Sequence, residues 1–249
     1  MMRMRRPASR PMRAASRTAC LAASLFIGLA GLALPAAAQS AASGQALVYD
    51  PQPPPGSAFL RFVNAAGAEV LVRSDFLPPQ RLGTEAAQRV ASYAVVEHVA
   101  GRNLMLEAST PRGSTQVTLQ AAPGSFVTLI LSGAADGGLV ATPLVDHTEF
   151  NQVRARLSFY NATSGCGPAS LRLRQGGAVF TDVAPGTAKT RSVTPVSAQL
   201  VAECGGRPAT TFALEGLEPG GTYSVWLMQP DGQQPIAFFG RDTTARWQR

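Results

Sequence analysis

The chain has 249 residues, 22 basic and 15 acidic side chains, and a formal net charge of +7. Six of the basic residues lie in the first 38 positions, so the rest of the chain carries 16 basic against 15 acidic groups. This near balance excludes the basic footprint of a nucleic-acid-binding protein, and we predict no nucleic-acid partner. The remaining length is enough for two domains of about 100 residues each.

The beginning of the chain has the three parts of a secretory signal. Arginines without any acidic residue come first, an apolar run follows over residues 19–34, and the small residues Ala36 and Ala38 come next. The apolar run is shorter than the ~20 residues that a membrane-spanning helix needs. We therefore predict a signal peptide over residues 1–38, cleavage before Gln39, and export to the periplasm. A retained membrane anchor is the alternative.

Prolines mark the segment before the first predicted strand. Four prolines lie between Asp50 and Gly56, which favours an extended backbone and excludes a helix. We predict a stiff lead-in over residues 39–56. This lead-in either presents Tyr49 to a partner protein or adds its apolar residues to the first domain as an edge strand.

The chain repeats itself at an offset of 96 or 97 positions. Arg61-Phe62-Val63-Asn64-Ala65 recurs as Ser158-Phe159-Tyr160-Asn161-Ala162. Residues 127–131 recur as residues 223–227, and a Pro-Gly pair precedes both of these segments. Matches in one register indicate a duplicated domain.

Both copies show the alternation of apolar and polar residues that is typical of β-strands. Leu60 and Phe62 share one face of a strand, as do their counterparts in the second copy, and turn residues follow at intervals of about ten positions. We predict an all-β protein with two tandem antiparallel β-sandwich domains of immunoglobulin-like type, at residues 57–145 and 146–249. A small barrel is the rival fold. The best helix candidate is short, at residues 84–90.

Two cysteines remain after the predicted signal peptide, Cys166 and Cys204. Their even number and an oxidising compartment favour a disulfide. Two buried thiols or half of a metal site are the alternatives. Because His98 and His147 lie far away in sequence and have no ligand spacing, we predict no metal.

A serine hydrolase or acyltransferase needs a nucleophile, a histidine base and an orienting acid. The sequence has two histidines and neither a Gly-x-Ser-x-Gly nor a Gly-Asp-Ser motif. His147 has acidic neighbours, which suit either a fragment of a site or an exposed linker. No phosphate-binding loop is present. We predict no catalytic residue and no cofactor.

Charge is unevenly divided, since residues 150–249 carry 10 basic and 6 acidic side chains. Arg172 and Arg174 alternate with Leu173 on a predicted strand, and Arg156 lies on another. We predict that the three arginines point outward from one face. Such a face would bind an anionic polysaccharide or an acidic partner protein. A solvated sheet surface is the alternative.

Two segments of the chain resemble a known family. The first comprises residues 47–65 and begins Leu47-Val48-Tyr49-Asp50-Pro51; the second is residues 150–161. They are similar to the mature N-terminus and to the start of the second half of AlgF, the accessory protein of alginate O-acetylation. The turn Val183-Ala184-Pro185-Gly186 also fits this family.

The resemblance implies a periplasmic, non-catalytic accessory protein that is required for O-acetylation of an exopolysaccharide, alginate or cellulose, and that docks the acetylation enzymes. The implied partners are periplasmic O-acetyltransferases of the SGNH type and a membrane-bound O-acyltransferase. Within the first resembling segment we predict Tyr49, Arg61 and Asn64 to bind a partner.

Two other functions stay open. One is an O-acetyltransferase or esterase. The other is a carbohydrate-binding module, which would stack sugar rings on aromatic side chains. The candidates for that stacking are Tyr93, Tyr160, Trp226 and Trp247.

Overall fold

The computed structural model describes residues 53–134, 136–148 and 152–247. The signal peptide and its cleavage before Gln39 lie outside the described residues and remain predictions. The same holds for the partner-binding role of Tyr49. None of the helices in the described part is long and apolar enough to cross a membrane.

The first sandwich contains eight strands and one short helix in the described ranges. They are β1 (Ala58–Asn64), β2 (Val70–Ser74), β3 (Gln80–Leu82), α1 (Ala86–Arg89), β4 (Ala94–Val96), β5 (Leu104–Thr110), β6 (Gly113–Leu119), β7 (Phe126–Gly133) and β8 (Leu139–Asp146). One sheet has the order β4-β1-β7-β8 and the other β3-β2-β5-β6. The helix lies within the predicted segment at residues 84–90.

The second sandwich repeats this plan. Its strands are β9 (Ala155–Ala162), β10 (Ala169–Leu173), β11 (Gly176–Val183), β12 (Thr187–Val193), β13 (Ala198–Cys204), β14 (Arg207–Pro208), β15 (Phe212–Leu214), β16 (Thr222–Met228) and β17 (Ile236–Arg241), with a 3-10 turn at Pro230–Gly232. One sheet has the order β12-β9-β16-β17, and the other has the order β11-β10-β13-β14 with β15 also paired to β13.

The prediction of an all-β protein with two sandwiches is confirmed, with one difference in strand pairing. The central strands pair in parallel, β1 with β7 and β9 with β16, whereas the other pairings between these strands are antiparallel. In each copy the chain leaves the first central strand, builds the opposite sheet, adds one edge strand to its own sheet (β4 or β12), and returns to the second central strand. Such a long crossover permits parallel pairing, which a hairpin does not.

The central strands are apolar on both faces because two sheets pack on each other as well as on their own cores. Val63 and Ile130 on the outer face of the first sandwich meet Tyr160, Trp226 and Met228 of the second. This contact explains why the repeated segments read as nearly continuous apolar runs rather than as alternating ones. The four sheets therefore form one stack, with the repeat-related strands at its centre.

The repeated asparagine holds the turn that follows the first strand of each copy. The Asn64 amide donates to the carbonyls of Ala68 and Gly83, and Asn161 donates to those of Gly167 and Val183. Both side chains are fully buried. The prediction that Asn64 binds a partner is therefore wrong, because its amide is consumed by backbone carbonyls inside the first sandwich.

The predicted disulfide is confirmed between Cys166 and Cys204, whose Cα atoms are 5.5 Å apart. The bridge is buried in the second core, which also contains Leu171 and Leu200. It joins the loop before β10 to the end of β13 and closes a sequence separation of 38 residues. A bridge across such a loop stabilises the fold mainly by restricting the unfolded chain.

After β17 the chain crosses back to the first sandwich. The Tyr93 amide donates to the Thr243 carbonyl at 2.8 Å, and the Ala245 amide donates to the Tyr93 carbonyl at 2.7 Å. Farther on, the Trp247 indole donates to the Glu97 carboxylate at 2.7 Å. This segment fastens the second sandwich to the edge of the first.

Candidate functional site

Arg61 lies at the centre of the contact between the two sandwiches. It points from the outer face of β1 toward the second sandwich, and its side chain is 1% exposed. Nε donates to the Thr128 hydroxyl at 2.7 Å, Nη1 to Asp242 at 2.5 Å, and Nη2 to the Tyr160 hydroxyl at 2.9 Å. A more distant bond of 3.5 Å reaches the Ser224 hydroxyl. The buried charge is therefore paired and hydrogen-bonded, as burial requires.

Two aspartates complete this network from opposite sides. Asp242 forms the ion pair with Arg61 and also accepts a bond from Ser224 at 2.7 Å. Asp146 accepts three hydroxyl bonds, from Tyr160 at 2.5 Å, Thr128 at 2.5 Å and Tyr93 at 2.8 Å. Asp146 is thus connected to Arg61 through hydroxyl groups rather than by direct contact. We call these seven residues the Arg61 network.

Aromatic rings surround the guanidinium. Its carbon lies 4.3 Å from the ring centre of Tyr93, 5.0 Å from that of Trp226 and 5.3 Å from that of Tyr160. Rings at these distances favour a cation. The Tyr160 and Trp226 rings also stack on each other with their centres 4.0 Å apart. Side chains from both sandwiches therefore contribute to one enclosed polar and aromatic cluster.

Burial and charge act together on the ionisation of this cluster. Burial alone would lower the pKa of Arg61, but Asp242 and the neighbouring phenols raise it above its ordinary value. Burial also raises the pKa values of Tyr93 and Tyr160, although Arg61 partly offsets this effect. Arg61 therefore stays charged, and both phenols stay protonated so that they can donate to Asp146.

The two aspartates occupy equivalent positions in the repeat. Asp146 pairs with Phe126 in the register of β7 and β8, and the Asp242 amide bonds the Thr222 carbonyl in the same way. Asp242 follows Asp146 by 96 positions, and Thr222 follows Phe126 by the same number. Arg61 breaks this symmetry, because the strand register places Ser158 at its equivalent position.

A cleft of about 380 Å³ opens where the two copies meet, and we call it the seam cleft. Equivalent residues from both copies line it, including Phe126 with Thr222 and Asp146 with Asp242. Tyr93, Tyr160, Ser158, Arg156 and His147 also contribute to its walls. The cleft thus combines aromatic edges, hydroxyls and charged groups of both signs.

A second cleft of about 360 Å³ also has Asp242 in its lining. It is bounded by Ala86 and Ala87 of α1 and by Phe238 of β17, with Arg61 in its lining. Its walls are mainly small or apolar side chains. Asp242 and Thr243 line both clefts.

The structure corrects two predictions about arginines. Arg61 does not bind a partner, because its guanidinium is buried and bonded within the chain. The predicted single basic face is also wrong: Arg156 is on β9, in the sheet that packs on the first sandwich, whereas Arg172 is on β10 in the opposite sheet. Arg172 forms an ion pair with Glu203 at 2.5 Å, and Arg174 is exposed beyond β10.

The histidines lie apart from each other in surroundings of different kinds. His98 is 81% exposed, and its Nε2 is 3.8 Å from the Glu97 carboxylate. His147 is exposed at the seam cleft. Within the described ranges no hydrogen bond joins either histidine to a serine or cysteine, and no group of three or more potential metal ligands occurs.

Three of the four candidates for sugar stacking are buried. Tyr93, Tyr160 and Trp226 are exposed by 6%, 2% and 1% respectively, and their rings contact Arg61 or each other. Trp247 is partly exposed and is anchored through its indole to Glu97. Stacking needs an open ring face, which the three buried rings do not offer.

No family model matches the chain, and no curated protein matches it. Among solved structures, a family 26 carbohydrate-binding module, CBMbc from Eubacterium rectale Amy13K in complex with maltoheptaose, matches with 10% identity over 77% of this chain and 100% of that chain. The TM-score is 0.25, so this likeness carries no argument about fold or function. The fold and site described above define a protein of two β-sandwiches joined through a buried arginine network.

Proposed function

We propose that this protein is a non-catalytic docking protein of exopolysaccharide O-acetylation, which holds acetylation enzymes together in the periplasm. The assignment to exopolysaccharide O-acetylation is supported by the sequence resemblance of residues 47–65 and 150–161 to the AlgF family. The polymer on this proposal is alginate or cellulose. The partners are an SGNH-type O-acetyltransferase and a membrane-bound O-acyltransferase.

The docking role is supported by the positions of the charged and aromatic side chains that could otherwise have formed a catalytic or sugar-binding site. Arg61, Tyr160 and Trp226 are spent on fastening one sandwich to the other. A joint of this kind fixes the relative position of two outer surfaces. Fixed surfaces lose less entropy when they bind, which suits a protein that brings enzymes together.

A carbohydrate-binding module is the second candidate, and one observation bears on it. The partly exposed Trp247 lies beside an apolar groove that Phe76, Leu77 and Ala94 line. If polymer binds there, Trp247→Ala should abolish retention on polymer while leaving enzyme binding intact. The buried state of the other three aromatic candidates makes the docking role the better supported of the two.

Two features support the proposed compartment. The predicted signal peptide supports export, and the Cys166–Cys204 bridge suits an oxidising environment. Both agree with a periplasmic docking protein. A cytosolic location would leave such a bridge exposed to reduction.

The experiment is a binding measurement between purified proteins. The mature chain, starting at Gln39, is immobilised and exposed to the SGNH-type O-acetyltransferase of the same organism, with an unrelated periplasmic sandwich protein as the control. We expect saturable binding to the enzyme and no binding to the control. The mature chain alone should neither transfer nor hydrolyse acetyl groups from a generic ester donor. Ester turnover above background, or failure to bind any acetylation enzyme, would contradict the proposal.

A further inference from the structure

We propose that the seam cleft is a receptor for a guanidinium group, namely an arginine side chain that a partner protein inserts between the two sandwiches. This inference rests on the proposed docking function and assigns that function a contact point.

The position of the cleft favours a projecting side chain over a flat surface contact. The cleft lies at the joint of the sandwiches and receives residues from both, so an inserted group would contact both copies at once. Its volume of about 380 Å³ is ample for one long side chain. Anchors that enter a pocket at the centre of an interface contribute most to binding, and arginine is among the commonest of them.

The carboxylates supply charge that the chain itself leaves only partly paired. Asp146 accepts bonds from three hydroxyls, and no ion pair reaches it from any described residue. Asp242 accepts both of its side-chain bonds at Oδ1, so Oδ2 has no donor among the residues described. Two carboxylates in the lining of one cleft suit a donor with several N–H groups in a fixed plane.

Arg61 shows that this environment can bind a guanidinium group. Arg61 sits beside the same cleft in contact with Tyr93, Tyr160 and Asp242, and its guanidinium is bonded there without exposed charge. The equivalent position in the second copy is Ser158, which lines the cleft and leaves it open. The repeat therefore fills one guanidinium position with its own arginine and leaves room for a second.

Arg156 is the charged group that opposes this inference, because it also lines the cleft. Its positive charge weakens the attraction for an incoming cation by an amount that solvent screening limits. The presence of Arg156 therefore allows the direction of a change in affinity to be predicted. Removing the charge at position 156 should strengthen the binding of a guanidinium, whereas a site for an anion would be weakened.

The test uses two small probes that have the same shape and differ in charge. N-acetyl-L-argininamide is titrated into the mature chain and followed by backbone amide chemical shifts, with N-acetyl-L-citrullinamide as the neutral match. We expect the arginine probe to bind about tenfold more tightly, because its bonds to the carboxylates are charge-assisted. The shifted amides should be those of residues lining the seam cleft. Arg156→Gln should tighten binding by about threefold.

Two variants close the cleft in different ways. Ser158→Arg places an arginine at the position equivalent to Arg61 and should weaken the probe by tenfold or more. If this variant does not fold, Thr222→Phe, which copies the equivalent Phe126, should have the same effect. Both closures should also weaken binding of the SGNH-type enzyme, measured on the same preparations.

The outcomes separate this inference from the proposed function. Equal affinity for the two probes, shifts located away from the cleft, or binding of a neutral sugar oligomer in place of the arginine probe would overturn the inference. If the enzyme binds the wild-type chain and both closed variants equally, docking stands and the cleft is not its contact point. If the enzyme binds none of them, the docking proposal itself fails.

Discussion

Replacing Arg61 by methionine is the most informative perturbation of the structure. Methionine keeps much of the volume of the side chain but removes the ion pair to Asp242 and the hydrogen bonds to Thr128 and Tyr160. Removing one partner of a buried pair leaves the other charge uncompensated, which costs about 3–5 kcal/mol. We expect the free energy of unfolding to fall by about that amount.

The assay is urea unfolding of the mature chain at neutral pH. We expect the unfolding free energy to depend on urea concentration with the same slope in every variant, so that the variants differ in stability alone. Arg61→Met, Asp242→Leu and the double variant form a cycle. The double variant should lose less stability than the two single variants together, because replacing both partners removes the orphaned charge. Ser158→Ala is the matched control: it deletes one hydroxyl bonded to Thr190 at 2.9 Å, and it should cost about 1 kcal/mol.

A different outcome would refute the reasoning. If Arg61→Met lowers the free energy of unfolding by no more than the Ser158→Ala control, the Arg61 network does not hold the sandwiches together. Strict additivity of Arg61→Met and Asp242→Leu would show that the ion pair contributes no coupling.

Three further predictions concern the disulfide, the turns and the phenols. The mature chain should gain two mass units on reduction, and replacing Cys166 and Cys204 by serine should cost about 2–5 kcal/mol; two free thiols in native protein would contradict the bridge. Asn64→Ala and Asn161→Ala should each cost about 2–4 kcal/mol in urea unfolding, because each leaves at least two buried or partly buried carbonyls without this donor. Since burial raises the pKa values of the two tyrosines of the Arg61 network, their contribution is complete below the ordinary tyrosine pKa of about 10 and is lost as the pH rises above it. Phenolate absorbance in an alkaline titration should therefore lag behind that of urea-unfolded protein, and equal curves would contradict the burial of these phenols.

Much of the fold could be predicted because the repeat and the alternating apolar residues are local signals. Leu60 and Phe62, for example, identify a strand with a buried face, and the cysteine count identifies the bridge. Parallel pairing of β1 with β7 could not be predicted, because strand direction depends on where the chain returns after building the opposite sheet. Alternation along one strand does not carry that information.

The residues of the candidate site were harder to predict, because their surroundings also depend on how distant parts of the chain pack together. Arg61 is charged and lies on a strand, which suggested a surface role, and only the packing of the second sandwich on that face buries it. Asp146 and Asp242 had no sequence motif around them. Their spacing of 96 positions, equal to that of the repeat, was a signal that could have paired them. The grouping of Arg156 with Arg172 failed because it assumed one sheet where the sandwich has two.

The docking proposal is tested most directly by the acetyl content of the exopolysaccharide in cells that lack this gene and carry a variant copy. A chain with both His98→Ala and His147→Ala should restore acetylation to about the wild-type level, since the proposed function needs no histidine base. Thr222→Phe, which closes the seam cleft, should leave the chain folded and reduce acetylation. Loss of acetylation in the double histidine variant, while that protein remains folded and still binds the acetylation enzymes, would contradict a non-catalytic docking role.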